Sequence, residues 1–364
     1  MRTIQIFLLA SILISLTQVS RAQSIRKYSN EFLNIGVGAR GLGMSGAQAS
    51  IVNDVTSGYW NPAGLARMED KAQLALMHSS YFAGIAKFDY GAFGTRIDSN
   101  TTVSASFIRF GVDDIPNTIE LIDANGVVDY SRISSFSIAD NAFFFSAARR
   151  TKIRGLSIGA NAKIIHRIIG GFGKSWGFGL DAGIQYHKNN WRFGAMGRDI
   201  TNTFNAWSYN LNDKTKEVFA ATGNEIPVNS TEITAPRIIL SSGYKHSFNS
   251  KFALTGIMDA DFTFDGYRNV LIKSKNLNID PHAGMEFSYA NIAYVRAGIG
   301  NIQQATDITG KLEYSIQPNF GVGLKIKMFN IDYALTDIGD QSVALYSNVI
   351  SLRLDINRKV NTTP

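Results

Sequence analysis

Residues 176–186 read Trp-Gly-Phe-Gly-Leu-Asp-Ala-Gly-Ile-Gln-Tyr. Even positions carry Trp176, Phe178, Leu180, Ala182, Ile184 and Tyr186; odd positions carry Gly177, Gly179, Asp181, Gly183 and Gln185. A strand alternates its side chains between two faces, so one face here is apolar with aromatic ends and the other is glycine and polar. Leu156, Ile158, Ala160, Ala162 and Ile164 alternate in the same way with Ser157, Gly159, Asn161 and Lys163. So do Phe320, Val322, Leu324, Ile326 and Met328 with Gly321, Gly323, Lys325 and Lys327. A soluble sandwich also alternates. Runs of ten or more residues, with aromatics near their ends and Lys or Asp on the other face, instead fit a wall with lipid outside and a polar lumen inside.

Composition agrees. Among 364 residues, 33 Gly, 23 Phe and 14 Tyr against 7 Pro favour strands and turns over helices. The absence of cysteine excludes disulfides, thiolate metal sites, a cysteine nucleophile and a lipoprotein anchor. Residues 1–22 place Arg2 before an apolar run from Ile4 to Leu16 and end on Ser20-Arg21-Ala22. They read as a secretory signal peptide, too short in their apolar part to span a bilayer. Removing Arg2 and Arg21 lowers the net charge from +7 to +5, because this segment holds no acidic residue. No Lys/Arg-dense run lies beside stacking aromatics, so no nucleic acid is expected as a partner. No later run approaches about 18 apolar residues, which excludes a helical membrane protein.

The expected fold is therefore all-β, a transmembrane antiparallel barrel of about 14 strands. The strands expected are 71–79, 86–97, 100–110, 141–150, 155–167, 174–187, 190–199, 235–246, 251–264, 280–289, 291–300, 316–327, 329–338 and 342–356. Tight joints alternate with mostly longer ones, chiefly 111–140, 200–234, 265–279 and 301–315, as periplasmic turns alternate with extracellular loops. Both termini then lie in the periplasm of an outer-membrane protein whose main partner is the lipid bilayer. The chain divides into a signal peptide (1–22), an N-terminal plug or hatch (23–70), the barrel (71–357) and a periplasmic tail (358–364).

The plug rests on residues 32–66, which are too glycine-rich and irregular for a strand or a long helix. Glycines at 36, 38, 41, 43 and 46 permit close backbone approach in a crowded lumen. Pro62 keeps Asn61 out of helical geometry, and the Asn61 side chain suits a turn. Gly38, Gly41, Gly43, Gly46, Asn61, Pro62, Ala63 and Gly64 are the plug motif, with a structural or gating role.

The run Gly38 to Ala47, then Asn53-Asp54, then Tyr59 to Ala66 resembles the N-terminal signature of the PorV/PorQ family, a Bacteroidetes branch of the FadL-like barrels. Asn61-Pro62-Ala63 also resembles the hatch motif of FadL fatty-acid transporters. Ser45 departs from the usual glycine, and the last strand is followed by Arg-Lys-Val-Asn-Thr-Thr-Pro instead of ending on an aromatic. The resemblance implies a component of type IX protein secretion that binds a translocon subunit, or the C-terminal domains of cargo, through its extracellular loops. Phe204, Trp207 and Tyr209 are the candidate loop contacts. The alternative is a FadL-like transporter of fatty acids or other hydrophobic small molecules, with lipid or detergent in the lumen.

Gly36-Val37-Gly38-Ala39-Arg40-Gly41 matches a dinucleotide fingerprint, but no parallel β-α-β unit follows. His282 and Glu286 share one strand face near Asp259 and Asp261, yet neither a Gly-x-Ser-x-Gly elbow nor a His-Glu-x-x-His helix is present. No catalytic, cofactor-binding or metal-ligating residue is assigned, and the protein is not expected to be an enzyme.

Overall fold

The computed structural model describes residues 29–122, 126–306, 312–336 and 346–357. The signal segment 1–22 and the tail 358–364 lie outside the described residues. The strands are β1 (Ala72–Tyr81), β2 (Ala86–Arg96), β3 (Thr101–Asn117), β4 (Ser134–Arg150), β5 (Leu156–Ile169), β6 (Gly173–Lys188), β7 (Trp191–Arg198) and β8 (Phe204–Tyr209). They continue as β9 (Ser230–Ile233), β10 (Arg237–Ser247), β11 (Phe252–Thr263), β12 (Asn278–Tyr289), β13 (Ala293–Thr306), β14 (Leu312–Ile326), β15 (Phe329–Thr336) and β16 (Ser347–Ile356). Each wall strand pairs antiparallel with its neighbours, and β1 pairs with β16, so fourteen wall positions close into a barrel. Closure leaves no open edge within lipid.

Burial is inverted relative to a water-soluble protein. On β6, Trp176 is 53% exposed and Ile184 47%, while Ser175 and Gln185 are fully buried. Apolar side chains facing outward and polar ones facing inward form a stable wall only where the surroundings are hydrocarbon. No helix among the described residues is long and apolar enough to cross a membrane.

Three expectations about the wall change. β13 and β14 run on through most of the expected loop 301–315, as far as the Thr306–Leu312 pair. β3 and β4 reach to Asn117 and back from Ser134, across a register shift between Val112 and Ile115. Much of the expected loop 111–140 is thus a hairpin standing above the barrel. The expected loop 200–234 contains β8, a helix over Asp213–Ala221 and β9. β8 resumes the line of β7 along β6 after residues 199–203, where Asp199 and Asn202 adopt positive φ. β9 extends β10 in the same way and pairs with β8.

Residues 29–70 fill the lumen as short helical turns, Glu31–Asn34, Ala39–Leu42, Ser57–Trp60 and Pro62–Arg67, joined by tight bends. This plug supplies much of the buried apolar cluster. Val37, Ala39, Val52, Val55, Tyr59 and Trp60 pack on Met77, Phe88, Tyr90, Ile108 and Phe144 of the first four strands.

Candidate functional site

The glycines of the plug motif make room for one ring. A Cβ on Gly41 would lie 2.8 Å from Trp60 Cζ2, and one on Gly46 would lie 3.4 Å from the same indole. The Trp60 indole N–H donates to the Val37 carbonyl at 2.9 Å, and Tyr59 meets the ring edge-on at 4.9 Å. Gly43 faces the wall instead, where its Cβ would meet the Gly321 Cα at 2.9 Å. Gly38 takes a positive φ of 79°, and Gly64 is closed in by the Val52 carbonyl and the Ser57 hydroxyl.

Asn61 is extended (φ −162°), and its side-chain oxygen caps the following turn by accepting from the Ala63 amide at 3.2 Å. Its amide nitrogen donates to the carbonyls of Ala49 (2.8 Å) and Ile184 (3.0 Å), tying two parts of the plug to β6. Pro62 and Ala63 press against wall Gly159, where any side chain would collide with their backbone. Gln185 donates to the Ala49 and Val52 carbonyls at 3.1 and 3.0 Å. These inward wall glycines and amides form a seat cut to the plug's backbone.

A second set of bonds is ionic. Arg40 binds Glu286 with both prongs at 2.9 and 3.1 Å. Glu286 also accepts from Arg296 at 2.7 Å, and Arg296 reaches Asp332 at 2.6 Å. Across the plug, Asp54 meets Arg353 at 2.5 Å, and Arg353 turns to Asp355 at 3.0 Å. Burial pushes the Asp54 carboxyl up, but Arg353, Arg40 and the Thr56 donors outweigh it and hold it below the usual carboxylate range. Burial likewise opposes the Arg40 charge, and Glu286 and Asp54 more than restore it.

The β1–β16 junction takes part directly. Met77 and Ser351 are register partners there, and the amides of Gly38 and Ala39 donate to the Met77 sulfur (2.9 Å) and the Ser351 hydroxyl (3.0 Å). Gln73 and Asp355 are another pair of that junction, and the Gln73 oxygen accepts from the Val55 amide at 2.9 Å.

Beside the plug lies a cavity of about 780 Å³. Phe32, Ile35, Leu42 and Trp60 of the plug face it, with Tyr81 and Phe110 of the wall. Charged residues line it as well: Arg237 pairs with Asp261 at 3.1 Å, His282 lies 3.3 Å from Asp261, Arg268 clasps Asp265 at 2.6 Å, and Arg167 binds Asp140 at 2.8 Å beside Phe110. The His282/Glu286 grouping therefore splits, with His282 in the cavity and Glu286 in the plug lock. Among the described residues no group of three His, Asp or Glu has metal-ligating geometry.

Phe204, Trp207 and Tyr209 lie in β8 and not in the loop expected for them. Phe204 faces outward and is exposed, whereas Trp207 is buried inside, donating to Glu232 at 2.9 Å beneath the Arg167 guanidinium at 5.1 Å. Tyr209 stacks on Trp207 at 5.8 Å. Sequence reasoning missed Arg40, although a lone charge inside a glycine-rich apolar run was a usable signal. It also missed Arg198, which donates to the Tyr59 carbonyl at 3.0 Å and covers the Tyr59 ring at 4.4 Å.

No family model matches the chain, and no curated protein matches it. Solved structures do. The toluene transporter TbuX of Ralstonia pickettii superposes with a TM-score of 0.51 at 14% identity, over 88% of this chain and 99% of its own. The monoaromatic hydrocarbon channel CymD gives 0.51 at 13% identity, over 89% and 98%. A FadL homologue of Pseudomonas aeruginosa gives 0.51 at 12%, over 88% and 98%. These neighbours are transport channels and a FadL homologue, not enzymes. At such identities the likeness is one of fold, and the fold is that of the FadL-like outer-membrane barrels.

Proposed function

We propose that this barrel is an outer-membrane channel for small amphipathic molecules, gated by its plug. The observation that carries the reading is the cavity of about 780 Å³, lined by apolar residues such as Trp60, Leu42 and Phe110 together with charged ones such as Arg237, Asp261 and Arg268. Its size is within the range of about 300–1,000 Å³ common to small-molecule sites. The mixed lining suits a molecule with an apolar body and one polar or charged end. The structural neighbours, a toluene transporter and a monoaromatic hydrocarbon channel, support a transport role. Trp60 provides the test, because Trp176 and Trp191 face outward and are replaceable by Phe. With Trp207, the fourth tryptophan, also replaced by Phe, titration of a medium-chain fatty acid or an aromatic carboxylate into the W176F/W191F/W207F protein should quench Trp60 saturably, and proteoliposomes should take the compound up. Absence of both binding and flux for every such compound defeats the reading.

A second reading assigns the protein to type IX secretion as a PorV/PorQ-like component that binds a translocon subunit or cargo C-terminal domains at its loop end. The residues of the Gly38–Ala47 and Tyr59–Ala66 signature support it, together with the β3–β4 hairpin that offers a tall surface at that end. Under either reading residues 1–22 are removed on export and the tight-turn end faces the periplasm. A gentle-detergent pull-down from native outer membrane that yields no secretion component removes the second reading.

A further inference from the structure

At one place on the outer face of the wall small side chains adjoin across four neighbouring strands. Ala147, Ala160, Ala182 and Gly197 are successive register partners across β4, β5, β6 and β7, so four small residues stand side by side. They floor an outward-facing apolar groove of about 580 Å³. Large residues flank it, Phe145 and Leu180 toward the loop end and Tyr186 and Phe193 toward the turn end. Trp191, stacked on Phe193 at 5.9 Å and meeting Tyr244 edge-on at 4.9 Å, belongs to the aromatic belt just beyond it, which marks the membrane interface. The groove thus lies in the hydrocarbon region immediately inside the interface of the turn-end leaflet.

Charge is concentrated at the same place. Arg149 borders the groove and is exposed. The turn after it adds Lys152 and Arg154, and the neighbouring turn adds Lys188, all exposed. Residues 147–154 and 182–192 contain no acidic residue. Among the described residues none of these four cations has an ion-pair partner within 4 Å, and Asp98 on the adjoining turn feels the Arg149 charge. Arg150 is engaged separately, donating to the Ala66 carbonyl at 2.7 Å. Cationic side chains at an interface attract anionic headgroups, and a long arginine stem lies along apolar surface while its head reaches the phosphate.

We propose that this sector is a binding site for one anionic glycerophospholipid of the turn-end leaflet. An acyl chain fills the groove over Ala160 and Ala182, and the headgroup phosphate meets Arg149 and Lys152. Charge complementarity selects this occupant over a partner helix or a second copy of the barrel, since neither requires a cluster of cations at the membrane surface.

Native mass spectrometry of the intact barrel from nanodiscs of equal phosphatidylglycerol and phosphatidylethanolamine tests it. One phosphatidylglycerol should be retained in preference to phosphatidylethanolamine. Each cation removed should cost about 5-fold in that preference, so R149A/K152A loses about 25-fold. K327A, on the β14–β15 turn across the barrel, should lose nothing. A160F/A182F should abolish retention of either lipid with the barrel folded by heat-modifiable gel mobility; if it fails to fold, R149A/K152A decides alone. Equal retention of both lipids by the unaltered protein, an unchanged preference in R149A/K152A, or a barrel dimer occupying the face would overturn the proposal.

Discussion

Replacing Arg40 with alanine should unlock the plug while leaving the wall intact. Among the described residues Arg40 is the one plug residue that grips β12 with a forked ion pair, and both partners are shielded, with side chains 22% and 9% exposed. Breaking a buried pair from one side ordinarily costs about 3–5 kcal/mol, because the remaining charge is stranded. Here Arg296 stays at 2.7 Å from Glu286, so the stranded charge is half compensated and the expected loss is about 2 kcal/mol. At 1.36 kcal/mol per tenfold, the undocked population rises about 30-fold. Single-channel recording in planar bilayers reads this as open probability, and Arg40→Lys, which keeps the charge but not the fork, should give a smaller rise. The pair is also coupled. In the double variant R40A/E286Q no carboxylate is left stranded, so its opening should fall short of the sum of the two singles. An R40A channel that opens no more than the parent, or strict additivity in the double variant, would refute the assignment of Arg40 as the lock.

Asn61→Ala leaves the Ile184 carbonyl and the Ala63 amide without their partners, for about 2–3 kcal/mol of plug stability, visible as new proteolytic cleavage within residues 29–70. Acid should open the channel through Asp54. Its folded pKa lies below the unfolded value of about 3.9, so its contribution is complete above that value and fades as pH falls through the lowered one. Open probability recorded from pH 6 to 3 should rise only at the acid end, and Asp54→Asn should flatten that limb while raising the neutral-pH baseline. Gly41→Ala drives a methyl into the Trp60 ring, costing about 1–3 kcal/mol and shifting Trp60 emission; an unshifted spectrum would show that the ring does not rest on Gly41.

The barrel was legible where the two strand faces differ chemically, as on β5, β6 and β14, because lipid and lumen impose opposite chemistries on alternate residues. The tops of β3 and β4 were not legible. Above the membrane both faces meet water, so Asp113 and Asp114 carry no alternation, and the positive φ of Asp114 marks a bulge that reads as a loop. β8 was missed because it is six residues long and follows the kink at Asp199 and Asn202; its strand character comes from pairing with Gly173–Phe178, a choice no local pattern encodes. In the plug, crowding was readable from the glycines, but the ring that crowds them was not. Arg40 and Glu286 are separated by 246 positions, and nothing in either neighbourhood names the other.

The Met77–Ser351 and Gln73–Asp355 pairs join the first strand to the last, and their inward groups are the same ones that hold the Gly38, Ala39 and Val55 amides. Sealing the cylinder and seating its contents therefore draw on the same side chains. The plug lies directly ahead of β1 in the chain, tethered by residues 68–71, so it is present when the two ends of the sheet meet and offers both of them donors that bridge the gap. A variant lacking residues 29–67 should therefore close into a barrel more slowly than the intact chain, read by heat-modifiable gel mobility during refolding.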